Sequence, residues 1–323
     1  MILLLSASHD ANLDYVIEWL AHHRHPWLRI NSDDPLHARF HLQLAPSRLA
    51  IGERHVPLDD IRAIWLRQFG HIRRSAYWHE ATRLGARADA LDQIAREHAV
   101  ALGGLQAVLA DRYWLTRPAA AHVNKLDMLH QAAAVGLAIP ETHVITRAAD
   151  LRALLATGDY ICKSLYEPMF LKDPEGFYAM YTTRLDPDEV DALVPPELTP
   201  SLVQRLIAKA YELRVFYLDG TCYAMAIFSQ QRARTALDFR AADWTDPPRQ
   251  VPYALPDDVA ARIDAFMRAI GLNCGSLDLI RTPDGRYVFL EVNPAGQFGM
   301  VAFPCNYPLY EHIALHLIAH DRT

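Results

Sequence analysis

Short apolar runs alternate with helix-spaced apolar positions along the first part of the chain. Residues 2–5 are uniformly aliphatic and predict a short buried strand. Leu13, Val16, Ile17 and Leu20 recur at helical spacing, and PWLRIN (26–31) reads as a second strand. Strand, helix, strand predicts a βαβ unit on a parallel sheet. More strands are expected in FHLQLA, RLAIGERHVPL and IRAIWLRQF within residues 40–69, then helical patterns over about 79–110, interrupted at Gly103-Gly104. A boundary is expected near Pro118.

Beyond it the pattern changes. Leu126, Leu129, Ala133 and Leu137 mark one helix face that ends at Gly136 and Pro140. GDYICKSLY (158–166) predicts a strand, and residues 200–230 predict three, the last two joined at Asp219-Gly220, a strong hairpin signal. Val259, Ile263, Phe266, Met267 and Ile270 give another amphipathic helix. A second hairpin, GSLDLIRTPDGRYVFLEVN, turns at Pro283-Asp284-Gly285, and a helix over about 309–318 closes the chain. The reading is an α/β part over 1–118, followed by α+β parts over 119–199 and 200–323.

Composition narrows the class. The chain has 323 residues, 51% hydrophobic and 22% charged, so a sizeable core is available and disorder is not expected. With 32 Lys and Arg against 38 Asp and Glu, the net charge of −6 gives no reason to expect a nucleic-acid partner. The four cysteines, Cys162, Cys222, Cys274 and Cys305, lack CxxC spacing and sit in apolar contexts. Buried free thiols, an amino terminus without a basic leader, and no run near the ~20 apolar residues of a membrane span predict a cytoplasmic protein.

Polar residues inside apolar strands carry the candidate chemistry. In RYVFLEVN, Glu291 and Asn293 project from one face of a strand, and a carboxylate there is costly unless something pairs with it. A two-residue Asp284-Gly285 turn sets Asp278 directly opposite Glu291; a Pro-Asp-Gly turn with a bulge shifts the register by one. Either way Asp278, Glu291 and Asn293 converge as hard oxygen ligands, a set that suits Mg²⁺, or form a hydrogen-bonding cluster at a strand end. Lys163 in YICKSLY needs an anion or snorkels to water from an edge strand. Lys125 starts a helix, where a solvated charge is the simpler account. Glu212 and Arg214 share a face of YELRVFY, as partners in a surface ion-pair ladder or as site residues.

In this order — a lysine at a helix start, a lysine on a strand, a Gln-x-Leu-Ile linker, a Glu-Leu-Arg strand, then Asp and Glu-x-Asn on a hairpin — the residues resemble the ATP-grasp superfamily over about 118–323. The segments MILLLSASHDANLDYVIEWL, IWLRQF, NKLDMLHQAAAVGLAIPET, FSQQRARTALDFR and EVNPAGQFGMVAFPCNYPLYEHIALHLI extend the likeness over nearly the whole chain. They look like the graspetide (microviridin-type) peptide ligases, in particular the maturases of grasp-with-spasm systems. NPAGQFGM with PCNYPL is the most specific part.

The resemblance implies an ATP-grasp fold behind an N-terminal α/β domain, with ATP and Mg²⁺ as cofactors. It implies phosphate contacts for Lys125 and Lys163, an adenine-facing linker at Gln204, Leu206 and Ile207, and ribose or phosphate contacts for Lys209 and Glu212. Arg214 would meet the transferring phosphate, with Lys163 and Arg240 beside it in catalysis, and Asp278, Glu291 and Asn293 would hold the metal. Arg232, Arg234 and Arg240 are candidates for the substrate carboxylate, because guanidinium pairs with carboxylate through a bidentate fork. Arg67, at the end of the AIWL strand, is expected to face the cleft and hold an acidic peptide. Arg205 stands where the superfamily usually has an acidic residue, and SLYEPMF follows Lys163 in place of a glycine-rich loop. The implied partner is a ribosomal precursor peptide, leader plus acidic core, with neither nucleic acid nor membrane involved, and a homodimer is compatible with this. The implied reaction makes an acyl phosphate on an Asp or Glu side chain, which a Ser or Thr hydroxyl or Lys amine attacks to close a ring. An ATP-grasp ligase joining an amino acid or small amine to a carboxylate, and an ATP-binding regulator without chemistry, are the other readings.

Overall fold

A computed structural model of the chain describes residues 1–32, 40–70, 72–166, 170–173, 176–179, 182–231, 237 and 247–322. In chain order the strands and helices are β1 (Ile2–Ser6), α1 (Ala11–His22), β2 (Trp27–Asn31), β3 (His41–Leu44), β4 (Ser47–Ile51), β5 (Arg54–Pro57), β6 (Ala63–Leu66), α2 (Ala76–Arg83), α3 (Ala88–Val108) and β7 (Tyr113–Leu115). There follow α4 (Lys125–Ala134), β8 (Thr142–Arg147), α5 (Ala148–Leu155), β9 (Tyr160–Lys163), β10 (Phe170–Asp173), β11 (Gly176–Ala179), β12 (Thr183–Arg184), α6 (Pro187–Leu193) and β13 (Glu197–Arg205). The chain ends with β14 (Tyr211–Leu218), β15 (Thr221–Phe228), β16 (Arg249–Tyr253), α7 (Asp257–Ala269), β17 (Cys274–Arg281), β18 (Tyr287–Asn293), α8 (Gly299–Cys305) and α9 (Leu309–Arg322).

The chain divides into two units. The first comprises Met1–His122, Gly271–Gly275 and Pro294–Thr323; the second comprises Val123–Ile270 and Ser276–Asn293. Pro294–Thr323 thus groups with the amino-terminal residues and not with the strands that precede it.

The first unit is built on a parallel sheet, β2-β1-β6-β7, and β1–α1–β2 is the βαβ unit read from the sequence. β1 is buried at every position, as a strand covered on both faces must be. The antiparallel β3-β4-β5 set lies between β2 and β6 in the chain. α3 runs unbroken through Gly103-Gly104, because the buried Leu91, His98, Leu102 and Leu105 hold one face against the core. α9 packs on α1 and β6. The NPAGQFGM segment is pinned here: the Gly299 amide and the Tyr310 hydroxyl both donate to Asn12 Oδ1, each at 3.1 Å. A Cβ at Gly299 would lie 2.6 Å from each of those side-chain oxygens, so any larger residue would push them aside and disturb both bonds.

Arg67 corrects an expectation. It does follow β6, yet its side chain is only 2% exposed. Its Nε donates to Asp10 Oδ2 at 2.6 Å, and Ser6 Oγ donates to the same oxygen at 2.7 Å. The guanidinium also lies over the rings of Trp65 and Phe298, at 5.1 and 5.2 Å. Burial alone would raise the Asp10 carboxyl, but the charge of Arg67 and the hydrogen bonds from Arg67, Ser6 and the Leu13 backbone outweigh it and hold the group below its usual range. Arg67 therefore acts as the counter-charge of a buried carboxylate and does not offer an open cation to a peptide.

The second unit contains a four-stranded sheet, β12-β9-β13-β8, the β10-β11 hairpin, and a five-stranded sheet, β16-β15-β14-β17-β18. α4 and α7 pack together, and α4 also lies on β18. β14 and β15 turn at Asp219-Gly220 with Leu218 opposite Thr221; both turn residues have positive φ, 39° and 94°, the signature of a two-residue hairpin.

Candidate active site

The β17–β18 hairpin combines features of both registers left open by the sequence. Its turn is the three-residue Pro283-Asp284-Gly285 form, with Gly285 at φ 97° and its amide donating to the Thr282 carbonyl at 3.0 Å. Arg281, Ile280 and Leu279 accordingly face Tyr287, Val288 and Phe289. Continued unchanged, that register would set Leu290 opposite Asp278 and turn Glu291 to the other face of the sheet. Instead Leu290 is inserted as a bulge, and Asp278 faces Glu291, Leu277 faces Val292 and Ser276 faces Asn293. One extra residue thereby brings the two carboxylates onto the same face.

β14 supplies the next layer. Glu212 and Arg214 alternate onto one face and are both buried, with 8% and 7% exposure. Arg214 Nη1 donates to both carboxylate oxygens of Asp278, at 2.8 and 2.7 Å. Lys209 donates to Glu212 Oε1 at 2.5 Å and to the Leu237 carbonyl at 2.9 Å, and Ser229 Oγ donates to the same Glu212 oxygen at 2.7 Å. Burial pushes the Glu212 carboxyl up, and the nearby charge of Asp278 adds to this; Lys209 and Ser229 offset only part of the rise. Glu291 differs from both: no hydrogen bond or ion pair reaches its carboxylate from the described residues. An unpartnered carboxylate facing a second one, with an arginine already on that second one, fits a bound divalent cation, because a cation removes the repulsion that close carboxylates otherwise suffer.

These groups wall a cavity of about 400 Å³. Its polar lining includes Lys163, Arg184, Gln204, Lys209, Glu212, Asp278 and Glu291, and its apolar lining includes Pro140, Ile161, Leu206, Ile207, Ile280 and Leu290. Lys163 lies opposite Leu202 on β13, and Ile161 lies opposite Gln204, so one face of the β9–β13 pair looks into the cavity. After β13 the chain runs through Leu206–Lys209 without regular structure. The Leu206 amide donates to the Asp159 carbonyl at 2.9 Å and the Ala210 amide to the Arg281 carbonyl at 2.8 Å. Ile207 and Ala208 between them make no backbone hydrogen bond among the described residues, which leaves a short open peptide edge on the cavity wall.

The cavity thus gathers Lys163, Gln204, Leu206, Ile207, Lys209, Glu212, Asp278 and Glu291, and Arg214 reaches it through Asp278. Three expected residues stand apart from the lining. Lys125, at the start of α4 behind the Asn124 cap, donates to the Ser164 and Tyr166 carbonyls at 2.8 and 2.6 Å and so braces the segment after Lys163. Asn293 is exposed at the end of β18, two residues beyond Glu291. Arg67 is buried with Asp10 in the first unit. Arg232, Arg234 and Arg240 lie outside the described residues.

Several lining residues went unread in the sequence. Ile161 and Ile280 are each two residues from a named site residue on the same strand, so alternation alone could have found them. Arg184 and Thr182 come from a short edge strand and its approach and carried no sequence signal, whereas Gln230 lay in FSQQRARTALDFR without being singled out.

Solved structures share this architecture, whereas no family model and no curated protein matches the sequence. The macrocyclase MdnC from Microcystis aeruginosa MRC, solved with the precursor peptide MdnA, is 26% identical over 99% of both chains, with a TM-score of 0.83. A RiPP-associated ATP-grasp ligase from Chryseobacterium gregarium, solved with ADP and a leader and core peptide, is 23% identical over 98% of this chain and 96% of that one, again with a TM-score of 0.83. The ATP-grasp ligase PsnB, solved with a minimal precursor, Mg and ADP, is 19% identical over 99% of this chain and 97% of that one, with a TM-score of 0.78. Among the described residues, no helix is long and apolar enough to cross a membrane.

Proposed function

The chain has the ATP-grasp fold, and we propose that it is an ATP-dependent ligase that cyclises a ribosomal precursor peptide through its acidic side chains. The observation that carries this reading is the Leu290 bulge, which turns Glu291 toward Asp278 on the wall of a cavity that also holds Lys163, Lys209 and Glu212. The likeness to MdnC over the full length of both chains supports a peptide as the substrate.

A carboxylate is a poor electrophile, so the reaction runs in two steps. A peptide Asp or Glu oxygen attacks the γ-phosphorus of ATP; the bond from that phosphorus to the β,γ-bridging oxygen breaks, and ADP leaves. A Ser or Thr hydroxyl or a Lys amine of the same peptide then attacks the acyl carbon, loses its proton, and expels phosphate as the ester or amide closes. Such a transfer depends mainly on positioning and charge neutralisation. Lys163 and Arg214 stabilise charge as it develops on the transferring phosphoryl group, and Lys125 holds the segment after Lys163 in place. The Leu206–Ala208 edge and Gln204 take the purine, and Lys209 with Glu212 takes the ribose. Asp278, Glu291 and Asn293 would hold Mg²⁺, which when bound neutralises charge on the β- and γ-phosphate oxygens. Arg232, Arg234 and Arg240 are proposed to hold the acidic core of the peptide.

The test is incubation of the protein with ATP, Mg²⁺ and a short peptide rich in Thr, Ser, Lys, Asp and Glu encoded beside its gene. Mass spectrometry should show ATP-dependent loss of one water per ring, with ADP and phosphate formed in equal amount. Addition of a free amino acid to the peptide would favour the alternative ligase reading. ATP binding with no turnover of any carboxylate would favour the regulator.

A further inference from the structure

The first unit carries a histidine pair that the cavity does not use. His316 and His320 stand one turn apart on α9, so their side chains rise from the same face of the helix. Their ring centroids are 4.4 Å apart, and a ring nitrogen of one lies within 4.8 Å of a ring nitrogen of the other. Both residues are half-buried. His320 Nδ1 lies 2.9 Å from the His316 carbonyl oxygen. A carbonyl can only accept, so Nδ1 carries the hydrogen, and in the neutral ring the lone pair sits on Nε2. Tyr113 of β7 holds both rings. Its own ring stacks on His320 at 3.7 Å and 17°, and its hydroxyl is hydrogen-bonded to His316 Nε2 at 2.6 Å. Asn273 holds Tyr113 in turn: Nδ2 donates to the Tyr113 hydroxyl at 3.2 Å and to the Trp114 carbonyl at 2.8 Å, while Oδ1 accepts the Thr116 amide at 2.9 Å.

We propose that His316 and His320 chelate one borderline divalent cation of the Zn²⁺ class, with water completing its shell and Tyr113 as the positioning residue that sets both rings. Two histidines at i and i+4 on one helix face can close on a single ion. An imidazole that gives one nitrogen to an oxygen ligates through the other, and the oxygen partner fixes its tautomer and ring orientation. Each ring here has such a partner, a backbone carbonyl for His320 and a phenol for His316. Imidazole suits zinc, copper and nickel, whereas Mg²⁺ prefers hard oxygens, so this pair takes a different cation from Asp278 and Glu291. The inference does not depend on the nucleotide-binding reading given above.

The experiment is calorimetric titration of Zn²⁺ into the full chain, without nucleotide and with Mg²⁺ in excess. Wild type should take up a Zn²⁺ ion that Mg²⁺ does not displace. Losing a ligand costs more than losing an outer partner, so His316→Ala and His320→Ala should each weaken binding by about a hundredfold or more. Tyr113→Phe keeps the stacked ring without the hydroxyl and should weaken it by about tenfold. The neighbouring rings of His22 and His23, 5.2 Å apart between centroids, are the control: His22→Ala with His23→Ala should leave the affinity unchanged. No uptake by wild type, an ion retained when both His316 and His320 are replaced, or one lost with His22 and His23 overturns the inference. Unchanged affinity in Tyr113→Phe overturns the positioning role. A second measurement needs no variant. Zn²⁺ should slow modification of His316 and His320 by diethyl pyrocarbonate, read by peptide mass mapping, and leave that of His22 and His23 as it was. Equal modification of His316 and His320 with and without Zn²⁺ would place any bound ion elsewhere and overturn the site.

Discussion

Asp278 and Glu291 face one another across β17 and β18, yet only the removal of Asp278 should destabilise the ligand-free protein. Glu291 has no partner among the described residues, so Glu291→Gln breaks no interaction in the ligand-free protein. Its unfolding free energy should stay within about 0.5 kcal/mol of wild type. Asp278 accepts two hydrogen bonds from Arg214, and the two side chains are 17% and 9% exposed. Breaking a fully buried pair costs about 3–5 kcal/mol, and partial solvent access with the amide oxygen left by Asp278→Asn lowers this to about 1–3 kcal/mol. With Mg²⁺ and ADP the order should change, because both variants lose an anionic oxygen: each should need about tenfold or more Mg²⁺ to support ADP binding. Urea denaturation without nucleotide and calorimetric ADP titrations across Mg²⁺ concentrations measure the two effects separately. Equal destabilisation by the two variants would refute the reasoning, since Glu291 would then have a structural partner. Unchanged Mg²⁺ dependence in Glu291→Gln would remove it from the metal set.

Lys163→Ala deletes a cation from the cavity wall and should weaken ATP binding about ten- to a hundredfold by calorimetry; unchanged affinity would make Lys163 an ordinary lysine at a strand end. Deleting Leu290 removes the bulge but makes Glu291 the residue after Phe289, still opposite Asp278, so ATP-dependent turnover should persist; its loss with far-ultraviolet circular dichroism like that of wild type would show that the bulge itself aims the carboxylate. Asp10 is held below its ordinary 3.8 in the folded protein, so its pairing with Arg67 contributes stability above that pH and loses it as pH falls through the lower folded value. Asp10→Asn should therefore flatten the acid limb of the stability profile and, by leaving Arg67 buried without its counter-charge, cost about 3–5 kcal/mol at neutral pH by chemical denaturation; an unaltered acid limb would argue against the pair.

The elements that the sequence determined by itself are those set by local chemistry. Alternation and helical spacing are properties of neighbouring residues, so the β1–α1–β2 unit, the Asp219-Gly220 hairpin and α7 were legible. Lys163, Glu212, Asp278 and Glu291 stood out as polar residues in apolar strands, and the resemblance to ATP-grasp enzymes added Gln204 and Lys209 to the same expected site. Tertiary structure decided what depends on residues far apart in the chain. The turn alone set one register, and only the packed sheet shows that Leu290 shifts it again before Glu291. Arg67 looked like an open strand-end cation because its partner Asp10 lies 57 residues away, brought beside it by parallel pairing of β1 and β6. The bond from the Gln204 amide depends on a hydroxyl 62 residues distant and on the carbonyl to which that hydroxyl gives its hydrogen. A sequence shows which groups need partners; which partner each one finds is fixed only when non-local strands bring them within hydrogen-bond reach.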